Sequence, residues 1–174
     1  MFRKSLFAAA FAVAAAGAAQ AHVTLEASEA PVGATHKAVL RVPHGCEGAA
    51  TTRVRLKIPE GVIAVKPMPK ANWTLETVTG AYARAYENHG NQVGEGVTEV
   101  IWTGELPDAF YDEFVVRAML TDRLAAGSAL YFPVVQECGD RAERWIEIPA
   151  AGQDPESLEY PAPGLKLLPA AGGH

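Results

Sequence analysis

The sequence predicts an all-β protein, an antiparallel β-sandwich, and three observations carry this prediction. Short segments alternate between apolar and polar residues with a period of two, the pattern of a strand with one buried face. Turn-forming residues separate these segments, as in Pro43-His44-Gly45, Pro59-Glu60-Gly61 and Ala126-Gly127-Ser128. After residue 21, no segment has the spacing of a convincing amphipathic helix.

The strands are predicted in order along the chain. In HKAVLRV, residues 36–42, apolar side chains share the face opposite the basic ones. In RVRLKIP, Val54, Leu56 and Ile58 face inward and the three basic residues between them face outward. Four further runs are rich in β-branched and aromatic residues, namely TEVIWTG, FVVRAML, ALYFPVV and RWIEIP. Short strands at this spacing favour two antiparallel sheets packed face to face.

The first 21 residues predict a secretory signal peptide. Arg3 and Lys4 supply the positive start, Leu6–Ala16 is an uninterrupted apolar run, and Ala19–Ala21 is an A-x-A cleavage site. An uncleaved anchor is the alternative, but the apolar run is shorter than the roughly 20 residues that span a bilayer. Cleavage would leave 174 − 21 = 153 residues, starting at His22. We therefore expect an exported protein, periplasmic or secreted, without a membrane span after cleavage.

We expect one sandwich domain over residues 22–150 and an extended tail rich in Pro and Gly over 151–174, its last residues loose. The leader carries two basic and no acidic residues, so the mature chain has 15 − 2 = 13 Lys and Arg against 20 Asp and Glu, a formal charge of −7. This acidic balance argues against nucleic acid and anionic membranes as partners.

Cys46 and Cys138 are the two cysteines of the chain. In an oxidising compartment an isolated pair predicts one disulfide. The alternative is a pair of thiolate ligands, since thiolates bind Cu(I) well, but neither a CxxC spacing nor a Met cluster supports it.

A histidine at the first position of a mature chain can bind a metal in a way that no internal histidine can. Its α-amine and its own imidazole Nδ1 can chelate one ion, and the amine, with an ordinary pKa of about 7.7–8.0, loses its proton at little cost near neutral pH. Two nitrogens suit the tetragonal preference of Cu(II), and a carboxylate or a second imidazole would complete the plane. Histidine can also follow a cleavage site by chance.

The other four histidines show no metal-binding spacing, and each is expected to be a surface or turn residue: His36, His44, His89 and His174.

Several stretches together resemble the YcnI-like domain family. They are PHGCEGAATTRVRLKIPEGV, WTGELPDAFYDEF and RWIEIP, together with the segment that starts HVTLEASEAP and the tail YPAPGLKL. The resemblance implies an exported sandwich of immunoglobulin-like or cupredoxin-like type that binds one Cu(II). It implies a brace formed by the amine and imidazole of His22, a carboxylate from Glu113 and a tryptophan beside the copper, Trp145. It also implies a role in copper trafficking or homeostasis, with other periplasmic copper carriers as possible partners, rather than catalysis.

The residues themselves leave alternatives open. Glu113 is otherwise an ordinary solvated acid, paired with Arg117 on its own strand, and Asp112 is the rival carboxylate. Trp145 is otherwise core packing, the role that we expect for Trp73 and Trp102.

Two other functions compete with a copper carrier. The first is a copper-dependent oxidase or oxygenase, which would need a second imidazole from His36, His44 or His89. The second is a metal-free sandwich that binds another protein. We favour Cu(II) over Cu(I) because the mature chain offers only Met68 and Met119 as thioethers, and neither lies in a Met motif.

Overall fold

The computed structural model describes residues 22–171. The predicted signal peptide and His174 lie outside the described residues. Twelve strands follow one another: β1 (Thr24–Leu25), β2 (Glu29–Pro31), β3 (Thr35–Val42), β4 (Thr51–Lys57), β5 (Val62–Pro67), β6 (Thr74–Asn88), β7 (Asn91–Leu106), β8 (Asp112–Leu120), β9 (Ala129–Tyr131), β10 (Val134–Cys138), β11 (Arg141–Trp145) and β12 (Gly164–Leu168). A single 3₁₀ turn, Pro155–Ser157, stands between β11 and β12.

Two antiparallel sheets form the sandwich, as predicted. The first sheet has the order β1-β3-β8-β5, and the second has the order β11-β10-β4-β7-β6. A small third sheet, β2-β12-β9, contains a parallel pairing of β12 with β2. Within residues 22–171, no helix is long and apolar enough to cross a membrane.

The core lies between the inner faces of the two main sheets. Val54 and Leu56 are fully buried while the basic residues that alternate with them stay partly exposed, so the predicted facing of β4 is confirmed. Trp102 from β7 and Phe114 from β8 meet across the sandwich with ring centroids 5.4 Å apart. Trp73 packs edge-on against the same Phe114 ring, which confirms the core role expected for both tryptophans.

The longest feature of the second sheet is the β6–β7 hairpin, whose first strand the sequence patterns did not predict. It turns at His89 and Gly90, both with positive φ. Glu60 ties the hairpin to the β4–β5 loop, because one carboxylate oxygen accepts from the Ala83 amide and from the Tyr86 hydroxyl at 3.0 and 2.7 Å. The hairpin is therefore anchored although it extends from the sandwich.

The C-terminal segment is built into the fold rather than laid over it. Leu165 and Leu167 of β12 are 0 % and 1 % exposed and belong to the main core. The expected separation into a sandwich at 22–150 and a tail from 151 onwards therefore differs from the structure, where β12 supplies part of the core. Alternating Leu165 and Leu167 were the local signal for this strand.

The disulfide between Cys46 and Cys138 is formed, with a Cα–Cα distance of 5.9 Å, as predicted. It joins the loop after β3 to the end of β10, which belongs to the other sheet.

Candidate metal centre

His22 and Trp145 lie together at one end of the sandwich. Their ring centroids are 5.5 Å apart and the ring planes are tilted by 55°. Val23, directly after the histidine, is buried, and Thr24 pairs with Arg41 of β3. The start of the described chain is therefore fixed by a core residue and a strand pairing, which holds the His22 ring against the indole.

A buried polar network holds Trp145 in place. The indole Nε1 donates to Gln136 Oε1 at 3.1 Å. The amide nitrogen of Gln136 donates to the His44 carbonyl at 2.7 Å and to Thr51 Oγ1 at 2.8 Å. Gln136 and Thr51 are 1 % and 0 % exposed, so losing any of these partners would leave a buried polar group unsatisfied. This network makes the indole beside His22 rigid.

The C-terminal segment forms the remaining wall. The Tyr160 ring lies 5.3 Å from the Trp145 ring, and the Tyr160 carbonyl accepts from the Glu147 amide at 3.0 Å. His22 shares a small cleft with Pro155, Glu156 and other residues of this segment. The sequence patterns did not identify Tyr160 as part of the site. Its ring meets Trp145 only in the folded chain, where a single bridge, Glu147 with Pro161, joins the two segments.

A second cleft, which Tyr160 also lines, contains the carboxylate of Glu143. Its lining is Cys46, Glu47, Arg141, Ala142, Glu143 and Tyr160. Glu143 precedes Trp145 by two residues on β11, so alternation places both side chains on one face, about 7 Å apart. Glu143 Oε2 is buried and has no hydrogen-bond partner among residues 22–171. Burial raises the pKa of Glu143; the charge of His44 acts against this rise, and Glu47 and Asp108 add to it.

The loop that carries Glu47 has a constrained backbone. A Cβ on Gly45 would come within 1.9 Å of the Ala49 carbonyl oxygen, so glycine is required there. Glu47 itself has a φ of 48°, in the left-handed region that costs a non-glycine residue about 1–3 kcal/mol. Its side chain pairs with Arg141 at 3.2 Å, across the mouth of the cleft. A strained acid held at a cleft by a disulfide-anchored loop is a candidate site residue.

Glu113 has different surroundings. It lies on β8 opposite Arg41, pairs with Arg41 Nε at 3.5 Å, and accepts a hydrogen bond from the Tyr111 hydroxyl. Since Thr24 is the other neighbour of Arg41, Glu113 is two strands, about 10 Å, from the segment after His22. The structure therefore brings His22 and Trp145 together and leaves Glu113 in a separate ion pair. As a copper ligand, Glu113 stays a prediction, and its pairing with Arg117 is replaced by the pair with Arg41.

The other histidines do not join His22. Burial lowers the pKa of His36, whose Nε2 is buried and has no hydrogen-bond partner in the described part of the chain. His89 lies in the β6–β7 turn, and His44 contributes its carbonyl to the Gln136 network. Among residues 22–171, no three His, Cys, Asp or Glu side chains form a group that could hold a metal. A brace from one histidine differs from such a group, because two of its ligands would come from one residue, including a backbone nitrogen.

Comparison with known proteins places these features in a family. A family model described as a domain of unknown function, DUF1775, matches residues 22–167. Among solved structures, the chain is similar to an uncharacterized protein from Nocardia farcinica whose crystal structure is described as an immunoglobulin-like fold. The two sequences are 26% identical, the match covers 86% of this chain and 99% of that chain, and the TM-score is 0.62. No curated protein matches the chain.

Proposed function

Because the chain belongs to the DUF1775 family, the family of YcnI-like domains, we propose that it is an exported Cu(II)-binding protein that serves copper trafficking or homeostasis. Removal of residues 1–21 would free the amine of His22, and this amine and the His22 imidazole would hold the ion. The family match begins at the same residue as the proposed mature chain. The proposed location is periplasmic or secreted, with other copper carriers as partners.

The packing of His22 against Trp145 is the observation that supports this proposal most directly. A chelating histidine needs a defined ring orientation, and the indole, fixed by Gln136, supplies it. A large aromatic ring also limits water access to one side of a bound ion. Copper is cargo in this proposal, so the site has to capture the ion and release it rather than catalyse a reaction.

We propose that the carboxylate ligand comes from the cleft that Tyr160 lines, from Glu143 or from the adjacent Glu47. A buried carboxylate oxygen without a donor is stabilised by a cation, and Glu143 Oε2 has no donor within residues 22–171. Glu47 and Glu113 are each already paired with a cation, Arg141 and Arg41, so Glu143 is the favoured candidate. Glu113 remains the carboxylate implied by the family resemblance and is tested beside the other two.

The decisive experiment compares three proteins that differ at the N-terminus. One begins at His22, one begins at His22 with its α-amine acetylated, and one has His22→Ala at the mature start. We expect acetylation to lower the Cu(II) affinity more than about a hundredfold, because it removes a metal ligand rather than an outer-shell partner. Competition titration with a chelator of known affinity measures this loss, and electron paramagnetic resonance reports the change of nitrogen ligands.

Two outcomes would contradict the proposal. Equal affinity and equal spectra for the first two proteins would rule out the amine as a ligand. Oxygen-dependent turnover of a substrate by the copper-loaded mature protein would replace the carrier role by an enzymatic one. The unfolding midpoint of the copper-free proteins is the control, and it should agree between the first two, which share the packing of His22 against Trp145.

A further inference from the structure

Three cations lie directly opposite one another on the outer face of the first sheet. Lys37 of β3 is the register partner of Arg117 of β8, and Arg117 is also the partner of Lys66 of β5. All three side chains are exposed. Among residues 22–171, none of them forms an ion pair with an acid. We call these three residues the cationic row.

This arrangement opposes stability. Like charges directly opposite on neighbouring strands repel one another and destabilise a sheet. Two residue pairs further along the same face, a cation is paired with acids instead. There Arg41 lies between Glu26 and Glu113, at 3.4 and 3.5 Å. One half of the face is therefore neutralised, and the other half carries three positive charges on a chain with a net charge of −5.

A β-bulge brings the third cation into the row. Ala64 of β5 has a φ of 51°, and the register shifts between Ile63 and Lys66. Continued in register from the pair of Ile63 with Met119, the strand would place Val65 opposite Arg117; the bulge places Lys66 there and leaves Val65 in the core. Bulges re-aim side chains in this way, and a left-handed alanine costs about 1–3 kcal/mol.

Protection of a sheet edge does not account for the row. A lysine and a bulge on an edge strand prevent pairing with other chains, and β5 is an edge strand. However, Arg117 lies on β8, which is paired with β3 and with β5 at that position. β1 pairs with β3 only at Leu40 and Arg41, so Lys37 has no paired strand on its other side among the described residues. Arg117 therefore protects no edge, and edge protection does not account for the whole row.

The row borders an apolar surface. Pro67, Met68, Pro69 and Val115 line the same shallow concavity as the three cations, and Met68 is 53 % exposed. A partner for this surface needs carboxylates for the row and at least one apolar side chain for the methionine.

We propose that the cationic row and its apolar border dock an acidic amphipathic helix of a partner protein. Strands lie about 4.8 Å apart, so the row spans about 10 Å across the sheet. Helix positions i, i+4 and i+7 span about 10.5 Å at 1.5 Å per residue and lie on one face. Alternate residues of an extended strand lie about 7 Å apart, so three of them would extend beyond the ends of the row. A helix lying across the strands therefore matches the spacing of the charges.

The test uses two fluorescent helical peptides of identical composition. In the first, Glu occupies i, i+4 and i+7 beside Leu; in the second, the same residues are distributed around the helix. We expect the mature protein to bind the first peptide at low ionic strength and Arg117→Glu to weaken that binding about tenfold. The same substitution should raise the unfolding midpoint, because it places an acid between two lysines. Arg84→Glu, an exposed charge reversal on β6, is the matched control and should leave the binding unchanged.

Nuclear magnetic resonance shifts confined to the residues that line the concavity would support the docking site: Thr35, Lys37, Lys66–Pro69, Val115 and Arg117. No binding of either peptide, equal binding of both, or equal loss for Arg117→Glu and Arg84→Glu would overturn it. Binding to vesicles with anionic lipids, lost in Arg117→Glu and without peptide binding, would replace the helix by a membrane surface. The copper proposal does not involve the cationic row, so a lack of peptide binding would not contradict it. Cu(II) titration of Arg117→Glu tests the copper site separately.

Discussion

Glu113 and Glu143 are carboxylates of partly buried strand residues, but their surroundings differ. Glu113 lies on the outer face of the first sheet, where Arg41 and the Tyr111 hydroxyl satisfy it. Glu143 has a buried oxygen with no donor within residues 22–171; burial raises its pKa, and the charges of Glu47 and Asp108 add to this rise. The first carboxylate would have to give up a cation to bind a metal, whereas no described Lys or Arg forms a salt bridge with the second.

This difference is the reason for proposing Glu143 as the metal ligand. A charged group that is buried without a partner lowers the free energy of unfolding. Such a group is therefore expected to have a partner that is not part of the folded chain. A buried aromatic residue nearby does not distinguish the two residues, since Phe114 follows Glu113 and Trp145 follows Glu143 by two positions. The neighbours from other strands separate them most clearly.

Removal of the disulfide has the largest expected effect on the contrast between Glu143 and Glu113. Cys46 lines the Glu143 cleft, whereas Glu113 pairs with Arg41 on the other sheet. Cys46 and Cys138 are 92 residues apart, and a loop of that size predicts a loss of about 4–5 kcal/mol in the free energy of unfolding for the Cys46→Ala/Cys138→Ala variant. Denaturant unfolding of the oxidised protein and the double variant measures it.

Copper affinity measured at a temperature where the double variant stays folded supplies the second half of this test. We expect it to fall, since the loop that carries Glu47 loses its covalent anchor. An unchanged affinity would show that the cleft is not part of the metal site, and would favour Glu113.

Neutral substitutions of the three acids give the next largest effect. Loss of a metal ligand should lower Cu(II) affinity at least about tenfold, about 1.4 kcal/mol, when Glu143→Gln or Glu47→Gln removes it. Glu113→Gln, which has the same change of charge, should alter the affinity less than about twofold. Chelator competition measures all three variants on the mature protein. The reverse order would return the ligand role to Glu113.

Sequence patterns predicted the alternating strands and the disulfide, because each depends on local periodicity or on residue type, whereas the place of Trp145 beside His22 was implied only by the family resemblance. They could not choose the carboxylate, since Glu143 is recognised by a missing partner and by Gln136 and Tyr160, which are brought together only by folding. The same holds for the cationic row: Lys66 reaches Arg117 through a bulge at an alanine, a residue type that gives no signal of a left-handed backbone.

The pH dependence of stability gives the smallest and most specific test. The copper-free protein should lose stability as the pH rises from the ordinary Glu pKa of 4.5 toward the raised pKa of Glu143, because the folded state holds that proton longer than the unfolded state. Below this window both states are protonated, and the cost disappears. Glu143→Gln should therefore match the wild type at pH 4 and be more stable than it at pH 7.

Glu113→Gln is the matched control. It removes an exposed pair worth at most about 1 kcal/mol, and it should be slightly less stable at pH 7. A Glu143→Gln protein that loses stability at pH 7 would show that the charged carboxylate has a favourable partner in the copper-free protein, and the contrast between the two acids would fail.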